Sequence, residues 1–147
     1  MSTASSLPFE TTLQVRDRCL CLHLQRAARA VARRFDEALR PHGLTNGQFS
    51  ILMSLNRPEP PTIGSVAGLL AMDRTTLTAA LKPLERRGLV TVMADPADRR
   101  SRRLVLTAAG HAVLLAALPA WRREHDALDL SLAAEPDRLR ADLRALA

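Results

Sequence analysis

Four arginines crowd into five residues, Arg99-Arg100-Ser101-Arg102-Arg103. A guanidinium stays charged and presents a planar fork of donors that grips phosphate or a guanine edge bidentately, so this cluster offers non-covalent recognition of a polyanion. A second set lies upstream in Arg74-Thr-Thr-Leu-Thr-Ala-Ala-Leu-Lys-Pro-Leu-Glu-Arg-Arg87. At helical spacing Leu77, Ala80, Leu81 and Leu84 form a buried stripe and leave Arg74, Thr75, Thr76, Thr78, Lys82 and Arg86 outward. Arginine can take guanine O6 and N7, a Thr methyl can meet the thymine methyl, and hydroxyls can donate to phosphate. Any solvated helix shows such residues, so placement has to decide. From Asp73 to Arg103 eight basic residues stand against four acidic ones, which accounts for four of the net six positive charges of the chain. Such concentration on two neighbouring elements favours duplex nucleic acid.

Other chemistry is sparse. Cys19 and Cys21 have no third thiol and no His pair beside them, and two residues apart on one helix they would point about 200° apart, too far to bond. His23, His42, His111 and His125 lack ligand spacing, so neither a metal nor another cofactor is expected. The chain has no Gly-rich phosphate loop, Gly-x-Ser-x-Gly, His-Glu-x-x-His or clustered carboxylates, which argues against an enzyme. A cysteine on an apolar helix is most simply a small core residue. A reactive thiolate at Cys21 or Cys19 would need positive charge nearby, which Arg18 could supply.

The elements that must position these residues follow from patterning. At 147 residues and 16.1 kDa, with 47% hydrophobic and 24% charged residues, the chain has the size of one domain with a dimerising extension. Twenty of its 21 basic residues are Arg, a bias that a GC-rich genome would also produce. No apolar run approaches the roughly 18–20 residues of a bilayer span, and no leader-like segment opens the chain, so a soluble cytoplasmic protein with no membrane partner is expected. Residues 1–12 read as a flexible N-terminus. Residues 13–40 read as one long helix with Leu20, Leu24, Ala27, Ala28, Val31, Phe35 and Leu39 on its apolar face, ended by Pro41 and Gly43.

Thr45-Asn-Gly-Gln48 has the form of a capping box opening a second helix. Thr62 caps a third, from Ile63 to about Ala71, with Val66, Leu69 and Leu70 inward and Gly64, Ala67 and Gly68 allowing close approach. Asp73 caps a fourth, closed by Gly88, and Pro83 is expected to bend its second half. Val90–Met93 and Arg103–Leu106 alternate like two strands around the turn Asp95-Pro-Ala-Asp98. Thr107 caps a long helix with a seam at Leu114, Leu118, Trp121, His125, Leu128 and Leu132, bent at Pro119, and a last helix begins near Pro136 with Leu139, Leu143 and Leu146 on one face.

The fold class is mainly α with a small β-hairpin wing. A winged helix-turn-helix DNA-binding domain at 41–106 is flanked by a dimerisation helix at 13–40 and by a long helix plus C-terminal helix at 107–147. The terminal apolar faces exceed what the central unit can cover, which points to an intertwined homodimer. In this arrangement the exposed helix enters the major groove and the hairpin reaches the backbone or the narrow minor groove.

Leu44-Thr-x-x-Gln-Phe49, Asp73-Arg-Thr-Thr-Leu-Thr78, Leu84-Glu-Arg-Arg-Gly-Leu-Val90 and Asp95-Pro-Ala-Asp-Arg-Arg100, running into Leu104-Val-Leu-Thr-x-x-Gly110, resemble the MarR family of bacterial transcriptional regulators over about residues 13–147. The resemblance implies a homodimer that binds a palindromic operator in double-stranded DNA, usually as a repressor, and is released by a small phenolic or other effector or by cysteine oxidation. It also implies that Arg100 is the wing arginine entering the minor groove, flanked by Arg99 and Arg102, with Asp73 and Asp98 orienting the wing. Leu20-Cys-Leu22 followed by Ala27-Ala-Arg-Ala30 is similar to the first helix of the family's organic-hydroperoxide sensors, with Cys21 at their reactive position, although this chain has no Tyr to hold the thiolate. An effector pocket would draw on His23, Phe49, Met53 and Trp121 and suit an aromatic carboxylate. The alternatives within this reading are an oxidant sensor using Cys21 and a winged-helix module that pairs with an acidic protein.

Overall fold

Side-chain caps set most helix boundaries in the computed structural model, which describes residues 6–147. The elements run α1 (Phe9–Arg18), α2 (Leu20–Leu39), a 3-10 turn (Arg40–His42), α3 (Asn46–Ser54), α4 (Ile63–Leu69), α5 (Arg74–Arg86), β1 (Val90–Ala94), β2 (Arg102–Leu106), α6 (Ala108–Ser131) and α7 (Pro136–Arg144). The chain divides into two compact units, Met1–Arg34 and Phe35–Ala147.

In the first unit the expected single helix is broken at Cys19, although no Pro or Gly stands there. Cys19 adopts an extended conformation (φ −70°, ψ 103°). Its Sγ accepts the Leu22 N–H at 3.4 Å, and its carbonyl takes the His23 Nδ1 at 2.7 Å, so the residue serves as the N-cap of α2. Cys19 therefore lies off the helix, and the 200° argument does not describe the cysteine pair; both thiols are free. The segment expected to be a flexible N-terminus is helical from Phe9, and residues 1–5 fall outside the described part. Leu20, expected inward, is 61% exposed.

The second unit is held by leucines. Leu39, Leu52, Leu77, Leu81, Leu84 and Leu104 are fully buried together with Val66. Thr45 and Gln48 close the expected capping box reciprocally, each backbone N–H bonded to the other side chain at 3.1 Å. Asp36 pins the start of α3 to the end of α2 by accepting the Asn46 N–H at 2.7 Å and its side-chain amide at 2.8 Å. Those donors hold the Asp36 carboxyl below the usual aspartate range.

Thr62 caps α4, which ends earlier than expected because Ala71 turns left-handed (φ 51°). The Met72 N–H then reaches the Ala67 carbonyl at 2.9 Å and the Ala71 N–H reaches that of Gly68 at 3.2 Å, a Schellman closure. Leu69, expected inward, is 60% exposed. Asp73 caps α5, the helix runs on through Pro83 to Arg86, and Gly88 takes the left-handed position (φ +70°).

The hairpin pairs Val90 with Leu106 through to Ala94 with Arg102. A third segment joins it: Thr62 bridges to Arg103, and the Leu104 N–H donates to the Pro61 carbonyl at 2.9 Å. Thr107 caps α6 and its Oγ1 donates to the Gly88 carbonyl at 2.6 Å. Gly110 is needed there because a Cβ would collide with the Leu89 carbonyl oxygen. Helix α6 continues past Pro119, and α7 folds back so that Arg140 grips both Asp129 oxygens at 2.5 and 2.6 Å and Asp137 at 2.7 Å.

Candidate nucleic-acid interface

The face of α5 opposite its leucines is polar and solvent-facing. Arg74, Thr78, Lys82 and Arg86 recur every fourth residue and line that face with Thr75 beside them, all exposed. The Arg74 guanidinium lies over Gly64 of α4, where a Cβ would come within 2.6 Å of Nη2. Thr76 is engaged differently from its neighbours. Its N–H and hydroxyl donate to the two Asp73 carboxylate oxygens at 2.7 and 2.8 Å. The Thr76 N–H is the main reason that the Asp73 carboxyl sits below its usual range.

The hairpin tip is shaped by two Asp turns. Asp95 Oδ1 accepts the Ala97 N–H at 3.0 Å, and Asp98 Oδ1 accepts the Arg100 N–H at 2.9 Å. Asp98 thus fixes the backbone of Arg100, and its own carbonyl takes the Ser101 N–H. Asp73, named from the family resemblance as the residue orienting the wing, spends both oxygens on Thr76. Among the described residues the Arg100 guanidinium has no hydrogen bond or ion pair. Arg99 and Arg100 are exposed, and Arg102 reaches only the carbonyls of Arg99 and Ser101 at 3.3 and 3.2 Å.

Arg103, counted from sequence with the basic cluster of the wing, behaves otherwise. Its Nε lies 3.2 Å from Asp95 Oδ1, and its Nη1 donates to the Pro60 carbonyl at 2.6 Å. Asp95, read from sequence as a turn former alone, is buried at 7% exposure. The Ala97 N–H first, and Arg103 after it, hold its carboxyl below the ordinary range.

Of the proposed pocket residues, Phe49 and Trp121 stack at 5.9 Å with an interplanar angle of 14°. Phe35 and His125 complete that cluster: Trp121 lies 4.8 Å from His125 and 6.5 Å from Phe35. Met53 is half-buried. His23 and the two cysteines belong to the first unit, where Cys21 is exposed and its Sγ accepts Gln25 Nε2 at 3.3 Å. Among the described residues no group of three His, Cys, Asp or Glu is arranged to hold a metal ion, and no helix is long and apolar enough to cross a membrane.

Two short helices, a longer helix with a polar outer face and a basic hairpin define a winged helix-turn-helix. The MarR family model matches residues 44–101. The transcriptional regulator MosR of M. tuberculosis, solved in complex with DNA, superposes with a TM-score of 0.80 at 41% identity over 88% of this chain and 93% of its own. The transcriptional repressor CouR, bound to a 23-mer DNA duplex, superposes with a TM-score of 0.74 at 32% identity, covering 97% of this chain and 96% of that one. The curated regulator SarZ of Staphylococcus haemolyticus is 32% identical over 91 residues, 62% of each chain, so the chain spans about three fifths of that relative's length. This chain belongs to the MarR family of winged helix-turn-helix transcriptional regulators. Its relatives and its fold are those of regulators, not of enzymes.

Proposed function

We propose that the chain is a homodimeric, sequence-specific regulator that binds a palindromic operator in duplex DNA, acts as a repressor and is released by a small aromatic effector. One observation carries the DNA reading: three arginines at the wing tip, Arg99, Arg100 and Arg102, stand on Asp-shaped turns with no carboxylate of the described residues paired to any of them, beside a helix whose exposed line is Arg74, Thr75, Thr78, Lys82 and Arg86. The α5 residues suit base edges and phosphates of the major groove, and Arg100 suits the minor groove. Asp98 positions Arg100 through its backbone. That MosR and CouR were each solved with DNA supports a duplex partner.

The homodimer rests on apolar side chains that a single chain leaves in water, among them Leu130, Leu143 and Leu146. The effector reading rests on the Phe35, Phe49, Trp121 and His125 cluster, whose faces suit a planar ring.

The test is selection of bound sequences from random duplexes at near-physiological salt, with Arg100→Ala in parallel. An inverted repeat with half-sites about one helical turn apart is expected. Arg100→Ala should weaken binding about five- to one-hundredfold. Equal binding by wild type and mutant would sink the wing reading and bring forward pairing with an acidic protein. With the selected duplex as probe, loss of oxidant response in Cys21→Ser would identify thiol sensing, and an unchanged response to an aromatic acid would leave ligand sensing in place.

A further inference from the structure

The cluster at 99–103 divides into two kinds of arginine. Arg99, Arg100 and Arg102 face solvent, whereas Arg103 turns the other way and joins the wing turn to the α3–α4 loop, 43 residues earlier in the chain. It meets the buried Asp95 carboxylate at the start of the wing turn at 3.2 Å and the Pro60 carbonyl of the α3–α4 loop at 2.6 Å. Its own backbone bridges to Thr62. The loop it reaches, Arg57-Pro-Glu-Pro-Pro61, contains three prolines with fixed φ and is therefore a stiff anchor.

Open clefts lie on both sides of this connection. One of about 490 Å³ is lined by Arg57 to Thr62, Ser65 and Arg103; another of about 390 Å³ is lined by Glu59, Pro60, Met93 to Ala97 and Arg103. The backbone joins β2 to this loop at Thr62 and Pro61, and beyond that pairing the Arg103 side chain is the strut that carries the connection to Asp95. Beyond it the tip carries the three exposed arginines that the duplex reading aims at DNA.

We propose that Asp95, Arg103 and the Pro60 carbonyl form a latch that sets the angle of the wing, making Asp95 and Arg103 positioning residues for the groove contact of Arg100. This rests on the duplex-binding reading above. A bidentate guanidinium can hold a carboxylate and a carbonyl at once, which a lysine ammonium cannot do with the same fixed angle. Asp95→Asn keeps an oxygen acceptor for the Ala97 N–H but removes the charge that Arg103 meets and turns the second oxygen into an amide donor.

The experiment is a double-mutant cycle of Asp95→Asn and Arg100→Ala, read as affinity for the selected operator, with amide hydrogen exchange across the chain. Asp95→Asn should lower affinity about tenfold, the scale of a charge-assisted hydrogen bond. In that background Arg100→Ala should cost much less than it does in wild type, because a misplaced arginine has little left to lose. Exchange at residues 97–101 should quicken while Leu52 and Leu84 keep their protection. Arg103→Lys should fall between wild type and Asp95→Asn, and it serves as the second variant if Asp95→Asn does not fold.

Wild-type affinity in Asp95→Asn, or strictly additive losses, would overturn the latch while leaving duplex binding intact. If wild type selects no duplex, or Arg100→Ala binds as wild type does, the duplex reading fails instead. Exchange then decides the latch: quickened wing amides support it, and unchanged ones overturn it.

Discussion

Between Phe35 and Ala120 the chain buries its own apolar side chains, and outside that span it does not. Every buried hydrophobic residue among those described lies within this stretch, including six fully buried leucines. The N-terminal unit, by contrast, leaves Phe9, Val15 and Leu20 exposed, and α7 has no buried residue; Leu130 is 88% exposed. Both regions use amphipathic helices, so the difference is not one of local pattern. The middle closes on itself because α3, α4, α5 and the hairpin offer several apolar faces within short connections, while a pair of terminal helices offers only one face to a neighbour. The lesson is that the reading head is complete within one chain and that the ends are written for something else to cover, which we propose is a second copy.

The largest effect that tests this contrast is in the core. Leu52→Ala should destabilise the fold by about 2–5 kcal/mol in urea unfolding, with a midpoint independent of protein concentration. Leu143→Ser combined with Leu130→Ser should leave that transition nearly in place and weaken self-association in sedimentation equilibrium. If the two sets moved the same transition by the same amount, the division between a self-sufficient middle and open ends would be wrong.

Acid provides a smaller effect. Asp36, Asp73 and Asp95 all lie in the middle and are all held below the ordinary aspartate value of 3.8 by donors present only in the fold. As pH falls, the unfolded chain takes up these protons first. The stability they contribute is complete above about pH 4 and is lost as pH falls further, through the folded-state values. Thermal unfolding followed by circular dichroism should show a flat Tm from pH 7 to 5 and a decline below 4, and Asp36→Asn should make that decline shallower. A Tm that fell between pH 7 and 5 would point to other groups.

What the sequence disclosed was local chemistry. Thr45, Thr62, Asp73 and Thr107 stand just ahead of helically spaced apolar residues, and each caps the helix expected of it, because a side-chain oxygen three residues ahead of a free N–H is a short-range fact. Likewise Leu77, Leu81 and Leu84 follow from period alone. The helix break at Cys19 was illegible because a thiol acceptor and a histidine ring replace the usual Pro or Gly. The Asp95 to Arg103 pair was hidden by the success of a simpler explanation: Asp before Pro already reads as a turn, and its partner lies across the hairpin. Of the interface, the exposed positions were visible in the pattern, but their division into free arginines and one strut depends on where the Pro60 loop returns in space.

The smallest effect lies at the turn between α4 and α5. Ala71 holds φ 51°, a conformation that costs an L residue with a Cβ roughly 1–2 kcal/mol and glycine almost nothing. The strain is accepted because the Schellman closure requires a left-handed residue there, with the Ala71 and Met72 N–H groups satisfying carbonyls at the end of α4. Ala71 is exposed, so removing its methyl leaves no cavity. Ala71→Gly should therefore stabilise the middle by about 1 kcal/mol, the relief of strain exceeding the extra freedom glycine gains when unfolded. Sedimentation should show self-association unchanged, since the substitution touches neither terminal segment. A loss of stability would mean that the turn is not strained as its φ indicates, and a change in self-association would mean that the middle and the ends do not fold on separate terms.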